Sequence, residues 1–188
     1  MSTKTDPRFL RSKEAILSAA RELLLRQGPT AVTHAQVAEH AGVGRATVYR
    51  HWPRADQILA EAMATVPMPF FDTPTVPTRD WLHAELTTIA RQLELDDVRV
   101  VTTTLANAAL WDQDMDVRRE RFARLLAERL ARALADAQER GEVNLHTSAE
   151  AAAALVLGPI YYRATIERGV TDQLLADAAV NAVGTWSI

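Results

Sequence analysis

The side chains with the clearest possible chemistry lie between residues 45 and 51. Arg45 carries a guanidinium that can bond guanine O6 and N7 together, and Thr47 can bond several base edges. Tyr49, Arg50 and His51 are donors that can reach phosphate oxygens. If these groups share the outer side of one helix, that helix can read the major groove of DNA.

The residues around this segment predict the two short helices that would position it. Thr33 followed by Gln36 is a capping-box start, so a helix is expected to begin there. Gly42 supplies the positive φ that a tight turn between crossed helices requires. A second helix follows from Gly44 to about Arg50. The pattern is a helix-turn-helix, although so short a motif, taken alone, fits an ordinary pair of small helices about as well.

The full run from Thr33 to Pro53 closely resembles the DNA-binding domain of the tetracycline-repressor (TetR) family of transcriptional regulators. The resemblance is dense in motifs over residues 10–65 and looser in the second half, where residues 158–163 carry it as Gly-Pro-Ile-Tyr-Tyr-Arg. It implies a DNA-binding surface made of nine residues: Thr33, Gly44, Arg45, Ala46, Thr47, Tyr49, Arg50, His51 and Arg54.

Two positions depart from the family pattern. Gly44 stands where a serine usually opens the recognition helix. Ala55 stands where a lysine usually contacts phosphate near the start of the fourth helix. Arg54, one residue earlier, is the candidate to take over that contact.

Composition favours an all-α chain from a reducing compartment. Nearly half of the 188 residues are hydrophobic and only seven are glycine, so helix is favoured throughout. The absence of cysteine excludes disulfides and thiolate metal sites, which suits the cytoplasm. No apolar run approaches the roughly 20 residues of a membrane span, so no membrane partner is expected.

Charge is distributed unevenly along the chain. Residues 1–66 hold nine Lys/Arg against six Asp/Glu, a net charge of +3. The remaining residues hold twelve against eighteen, a net charge of −6. A basic front on an acidic body is expected of a DNA-reading domain attached to one that does not bind DNA.

Helix starts and stops predict two domains. Helices at about 12–27 and 54–65 flank the helix-turn-helix, and half of the eight prolines fall within residues 67–78, where no helix is expected. The predicted fold is all-α with about nine helices: a three-helix DNA-binding domain and its fourth helix in residues 1–66, and a helical bundle in residues 67–188. The bundle helices are predicted at about 79–94, 97–110, 116–140, 148–168 and 172–183.

For the bundle, the resemblance implies ligand binding and dimerisation. The homodimer would form through the last two helices, which carry apolar and small residues on more than one face. Ligand binding would release the protein from double-stranded operator DNA, which makes it a repressor, and the effector is not identified by the sequence. The candidate ligand-binding residues are Trp81, Leu86, Ile89, Thr104, Asn107, Trp111, Phe122, Leu126, Tyr161 and Tyr162. Taken one by one, each of them is at least as well explained as plain packing.

The tests for catalytic and metal sites fail. Asp112, Asp114 and Asp116 alternate as at the start of a calcium loop, but the sixth position is Val117 and the twelfth is Ala123. The five histidines lack any paired metal spacing, and there is no phosphate loop or nucleophile elbow. Neither an enzyme nor a cofactor is expected. Two other classes stay open: a protein that sequesters a small molecule and keeps a vestigial head, and an enzyme built in the bundle cavity.

Overall fold

The structure is a computed structural model that describes residues 7–66, 71–170 and 173–187, with Pro7 and Arg8 described by backbone alone. Contacts divide the chain into two compact units, Met1–Pro67 and Met68–Ile188. Pro67 and Pro69 of the predicted loop lie outside the described residues. From Phe71 to Pro77 the chain has no helix, and the next helix begins at Thr78.

The N-terminal unit consists of four α-helices in its described part. They are α1 (Pro7–Gln27), α2 (His34–Ala41), α3 (Arg45–His51) and α4 (Ala55–Ala64), with a 3-10 turn at Pro29–Ala31. Leucines and alanines at helical spacing bury one face of α1 against α2 and α4. Ile16, Val37, Val48 and Ile58 are fully buried, so each helix contributes to one core. This core fixes the positions of α2 and α3 within the N-terminal unit.

The described part of the C-terminal unit is a helical bundle closed by a small β-ribbon. Its elements are α5 (Thr78–Glu94), α6 (Asp96–Ala108), α7 (Gln113–Glu139), β1 (Val143–Leu145), α8 (Ala149–Tyr161), a π-helical segment (Tyr162–Ile166), α9 (Gln173–Ala182) and β2 (Gly184–Trp186). The long helix α7 packs along α8, and α9 packs on α5 and α8. Leu86, Leu134, Val156 and Ile160 are buried where these helices meet. The all-α prediction is therefore confirmed, and no described helix has the length and apolarity needed to cross a membrane.

The β-ribbon was not predicted. β1 and β2 pair antiparallel, with Asn144 opposite Thr185. A side chain at Gly184 would bring its Cβ within 2.5 Å of the Asn144 carbonyl oxygen, so the pairing requires glycine there. The indole of Trp186 donates to the Val180 carbonyl over 2.9 Å and fixes the chain end on α9.

The helix predicted at 148–168 differs in its second half. It begins as predicted, since Ser148 Oγ accepts from the Ala151 amide. It continues through Pro159 and then widens into the π-helical segment, where the Glu167 amide donates to the Tyr162 carbonyl over 3.1 Å. Proline removes one helical hydrogen bond, and a wider turn nearby is a known accommodation of such a helix.

Candidate DNA-binding surface and bundle cavity

The turn between α2 and α3 has the geometry that the sequence predicted. Thr33 Oγ1 accepts from the Gln36 amide at the start of α2. Gly42 has a φ of +65°, and its amide and that of Val43 donate to Glu39 and Ala38, the paired bonds of a Schellman motif. The turn therefore ends α2 and redirects the chain into α3 without a side chain in a strained conformation.

One side of α3 is exposed and carries the predicted DNA-contacting groups. Val48 is fully buried and anchors the helix in the core of the N-terminal unit. Thr47 and His51 are half-buried at the edge of that side. The exposed residues of α3 are Arg45, Ala46, Tyr49 and Arg50. Thr33 and Gly44, at the N-caps of α2 and α3, are exposed as well.

Tyr49 is held in place by His34, which the sequence analysis did not single out. The two rings stack with centroids 3.9 Å apart and planes within 6° of each other. His34 Nε2 lies 2.8 Å from the Trp52 carbonyl and donates to it, because a carbonyl oxygen can only accept. The pair ties the start of α2 to the end of α3 and leaves the tyrosine 52% exposed. No local sequence signal joins residues 15 positions apart in this way.

A polar cluster ties the end of α3 to α1 and α4. Trp52, buried as expected of a core residue, donates from Nε1 to Glu61 Oε2 over 2.6 Å. Lys13 Nζ lies 2.5 Å from the other carboxylate oxygen of Glu61 and 6.0 Å from the Trp52 ring. Ser12 Oγ, which donates to the Phe9 carbonyl, lies 3.4 Å from His51 Nε2.

The setting of His51 changes what it can offer to a phosphate. Burial lowers the pKa of His51 below 6.5, and the charges of Lys13 and Arg50 lower it further, against a smaller opposing effect of Glu61. Because the Ser12 hydroxyl proton goes to Phe9, His51 Nε2 must be the donor in their contact. The neutral ring then has only an acceptor at Nδ1. His51 can donate a second hydrogen bond, to a phosphate, only when it is protonated.

Arg54 stands at the N-cap of α4 with its guanidinium on Asp56. Arg54 Nε donates to Asp56 Oδ1 over 3.0 Å, and Nη2 bonds the other carboxylate oxygen. The hydrogen bonds and the charge of Arg54 lower the pKa of Asp56 in spite of burial, which alone would raise it. The arginine side chain remains 61% exposed, so a phosphate could reach it in competition with Asp56.

The C-terminal unit contains a cavity of about 420 Å³ between four helices. Such a volume is within the roughly 300–1,000 Å³ typical of ligand pockets. Carbon atoms dominate the wall, and its polar side chains are Thr102, Arg119 and Tyr161. The lining residues are Ile89, Leu93, Thr102, Leu105, Ala106, Arg119, Phe122, Ala123, Leu126, Ala154, Leu157, Gly158, Ile160 and Tyr161.

Four of the ten predicted ligand-binding residues line this cavity: Ile89, Phe122, Leu126 and Tyr161. The other six do not. Leu86 and Thr104 are buried elsewhere in the core, and Trp81 lines a second, smaller cavity. Asn107 is exposed and donates to the Thr103 carbonyl of its own helix. Trp111 and Tyr162 are 91% and 54% exposed, because each lies on the outer side of its helix or turn.

The sequence analysis missed several wall residues. Leu93, Leu157 and Arg119 belong to apolar or charged patterns that equally describe plain helix packing. Ala106, Ala123, Ala154 and Gly158 leave the space by being small. A small residue in a helix gives no sign of a cavity until the neighbouring helices are placed.

Comparisons with known proteins cover nearly the whole chain. The family model described as bacterial regulatory proteins, tetR family, matches residues 16–62, and the tetracyclin repressor-like C-terminal domain matches residues 73–183. The HTH-type transcriptional regulator YdeS of Bacillus subtilis (strain 168) is 32% identical over 188 residues, which cover 96% of this chain and 92% of that protein.

Solved structures share the fold. The crystal structure of the TetR family transcription regulator SCO0332 is 25% identical, with a TM-score of 0.56 over 90% of this chain and 94% of that one. The SmeT–triclosan complex is 19% identical, with a TM-score of 0.72 over 93% of this chain and 92% of that one.

Proposed function

The chain belongs to the TetR family of bacterial regulatory proteins, and we propose that it is a homodimeric repressor of transcription that leaves its operator when a small apolar molecule binds. The observation that carries this proposal is the exposed side of α3. There Arg45, Tyr49 and Arg50 lie on a helix whose other side is buried.

DNA binding follows from the chemistry of that side. The N-terminal part of a recognition helix enters deepest into the groove, so Arg45 is the residue proposed to read a base. Tyr49, Arg50 and Arg54 come later in the chain and are proposed to contact the backbone, with Thr33 at the start of α2. Gly44, Ala46, Thr47 and His51 complete the surface. Gly44 and Ala46 allow α3 to approach the bases closely, because neither has a long side chain that would hold the helix away from them.

A homodimer is supported by an apolar stripe on the outer side of α8 and the π-helical segment. Leu155, Tyr162 and Ile166 are 48%, 54% and 62% exposed, and their spacing places them along one side. Leu174 on α9 is 75% exposed. A second copy of the chain would cover these residues, and its two-fold symmetry would present two recognition helices to two half-sites about 34 Å apart.

The bundle cavity supports an apolar effector. Thr102 Oγ1 already donates to the Val98 carbonyl, and Arg119 is paired with Asp116. The Tyr161 hydroxyl has no hydrogen-bond partner among the described residues and is the polar group best placed to bind an effector. The neighbour SmeT, of similar fold, forms a complex with triclosan, which is a small molecule.

The two other classes left open by the sequence are less well supported. A protein that only sequesters a ligand has no use for exposed arginines and a tyrosine on a helix-turn-helix. For an enzyme, the cavity wall formed by the described residues offers no carboxylate, histidine or cysteine as an acid, base or nucleophile. We therefore propose that the protein has no catalytic activity and needs no cofactor.

Selection of bound sequences from a random DNA pool tests the proposal. We expect an inverted repeat with two similar half-sites, and loss of binding in the double variant Arg45→Ala/Arg50→Ala. Arg91→Ala, an exposed arginine on α5, is the control that should bind normally. Failure to enrich any sequence, with the protein folded, would leave the sequestering protein as the better reading.

A screen of small molecules by thermal shift then tests the effector. A molecule that stabilises the protein should also weaken its binding to the selected DNA. Leu126 lines the cavity, so Leu126→Trp places a larger side chain in the space proposed for the effector. This variant should keep DNA binding and abolish the weakening of DNA binding by the effector. A response that survives this change would place the effector outside the cavity.

A further inference from the structure

His51, the last residue of α3, is held in a fixed orientation by two contacts from α1. The Phe9 ring lies 4.3 Å from the imidazole between centroids, with planes 37° apart. Ser12 Oγ, on the next turn of α1, lies 3.4 Å from Nε2 of the imidazole. These contacts fix both the position of the ring and the direction of Nε2, so Nδ1 is the nitrogen left to contact another molecule.

The nitrogen Nδ1 of His51 is open to solvent. It makes no hydrogen bond within the described part of the chain. Over those same residues, Trp81 Nε1 is the only buried side-chain polar atom without a hydrogen-bond partner. Nδ1 of His51, which also has no partner, is therefore not buried. A DNA phosphate that lies against the end of α3 can reach His51 through this atom.

The proton of Ser12 decides what Nδ1 can do. Ser12 Oγ donates to the Phe9 carbonyl over 2.9 Å, a shorter contact than the 3.4 Å to His51. The hydroxyl proton therefore points to Phe9, and Nε2 donates to the hydroxyl oxygen. A neutral imidazole has a single N–H, so Nδ1 of neutral His51 is an acceptor and has nothing to offer a phosphate oxygen. Only the imidazolium has a donor at Nδ1.

Charged groups from three helices keep the ring neutral before DNA binds. Burial lowers the pKa of His51 below its ordinary value of 6.5, and the cations Lys13 on α1 and Arg50 on α3 lower it further. Glu61 on α4 opposes them with a smaller effect. Of these side chains, histidine is the one whose charge ordinarily changes between about pH 5 and 8. A phosphate brought to Nδ1 adds a negative charge that favours the imidazolium.

We propose that His51 makes DNA binding depend on pH, because it contacts a phosphate as the imidazolium and takes up a proton in each subunit when DNA binds. The inference rests on the proposed function, since it requires α3 to lie against DNA. Affinity should rise as the pH falls toward the pKa of His51 in the free protein, and level off below it. Ser12 is a positioning residue that acts through His51.

The affinity for DNA measured over a range of pH tests the proposal. The probes are the selected inverted repeat and poly(dA–dT) duplex, because a phosphate contact acts on any sequence. His51→Gln is the variant, since glutamine has an N–H donor that does not titrate. Between about pH 6 and 8 at constant salt, the affinity of the parent should fall by at least about threefold per subunit more than that of His51→Gln.

The other histidines of the N-terminal unit are accounted for in this comparison. His34 on α2 stacks on Tyr49, and it is present in both proteins, so its own titration cancels from their difference. His40→Gln, an exposed position on α2, is the matched control and should keep the pH profile of the parent. Circular dichroism at each pH shows that every variant is folded.

Ser12→Ala tests how the protonation state of His51 is set. Without the hydroxyl, neutral His51 is free to carry its proton on Nδ1 and to donate to phosphate with no proton taken up. Ser12→Ala should therefore lose most of the pH dependence that His51→Gln loses, although the imidazole is still present. Ser18→Ala removes an exposed hydroxyl from the same helix and should keep the pH profile of the parent.

The outcomes separate this inference from the proposed function. Equal pH profiles for the parent and His51→Gln, with both bound to DNA, would overturn the inference and leave the proposed function standing. A folded parent that binds neither DNA at any pH would overturn the proposed function and the inference together. A pH profile of Ser12→Ala equal to that of the parent would overturn the role of Ser12 as the positioning residue.

Discussion

At the scale of single residues, Arg45 carries the prediction of base recognition. It is exposed at the first position of α3 and forms no ion pair with a described residue. Arg45→Ala should cost about 1–3 kcal/mol on the preferred site and relax selectivity at one base position, because a bidentate contact to guanine is lost. Affinity measured on single-base variants of the selected site checks this. An equal loss on every sequence would instead make Arg45 a phosphate contact.

Arg54 carries the prediction of a phosphate contact that replaces the one expected at position 55. Its bonds to Asp56 mean that DNA must compete with a neighbouring carboxylate. Arg54→Ala should reduce the slope of log affinity against log salt by about 0.9 per subunit, since one fewer counterion is released. Asp56→Asn is the companion variant and should raise affinity for all sequences. A slope unchanged in Arg54→Ala would mean that this arginine only closes the start of α4.

His51 carries a prediction on pH. Its pKa is below 6.5 in the folded protein, so between that value and 6.5 the unfolded chain binds more protons than the folded one. The stabilisation from neutral His51 is complete above about pH 6.5 and is lost as the pH falls below it. Urea unfolding at several pH values should show a weaker decline in His51→Gln than in the parent. His40→Gln, exposed on α2, is the control. Parallel curves for parent and His51→Gln would contradict the prediction.

At the scale of elements, the turn between α2 and α3 depends on one glycine and not on the other. A Cβ on Gly42 would meet nothing within 4 Å, so Gly42→Ala causes no steric clash with neighbouring atoms. The strain of an alanine at a φ of +65° remains, and it should destabilise the unit by about 1 kcal/mol. Gly44 has a φ of −69°, and Gly44→Ser places a capping hydroxyl at the start of α3. That change should stabilise by up to about 1 kcal/mol. Chemical denaturation of both variants gives the two signs, and equal signs would contradict this account of the turn.

The elements that the sequence predicted are those with local signals. The cap at Thr33, the turn at Gly42 and long apolar periodicities marked most helix ends to within a few residues. The β-ribbon was missed because three residues per strand are too few to show alternation, and its partners lie about 40 positions apart. The π-helical segment was missed because the effect of Pro159 appears three residues later, where tertiary packing decides how the helix adjusts.

The exposed side of α3 and the effector cavity also differ in how far local sequence signals predict them. The exposed side of α3 could be predicted from one seven-residue helix, whose faces follow directly from the periodicity. The cavity could not, because its wall takes residues from four helices and its space comes from alanine and glycine. Trp81 shows the difference most clearly. Its aromatic ring suggested the effector cavity, but the fold places it in the second one.

At the scale of the whole molecule, the apolar stripe on α8 predicts how two copies assemble. Leu155 is the member of that stripe on α8 and is 48% exposed, so a charge there would be buried without a partner in a dimer. The parent should sediment with twice the chain mass of 20.8 kDa, and Leu155→Glu should shift it toward the single mass. Val117→Glu is the control, because Val117 is 59% exposed on α7 and lies outside the stripe.

DNA binding by the same variants separates assembly from recognition. Leu155→Glu should bind a single half-site as the parent does, since the N-terminal unit is unchanged. It should lose most of its affinity for the complete inverted repeat, because two linked heads raise the effective concentration of the second contact far above that of a free monomer. Val117→Glu should bind both DNAs normally. If Leu155→Glu remained a dimer at micromolar concentration, α8 would not be the interface. If it became a monomer and still bound the full repeat tightly, dimerisation would not be needed for operator recognition.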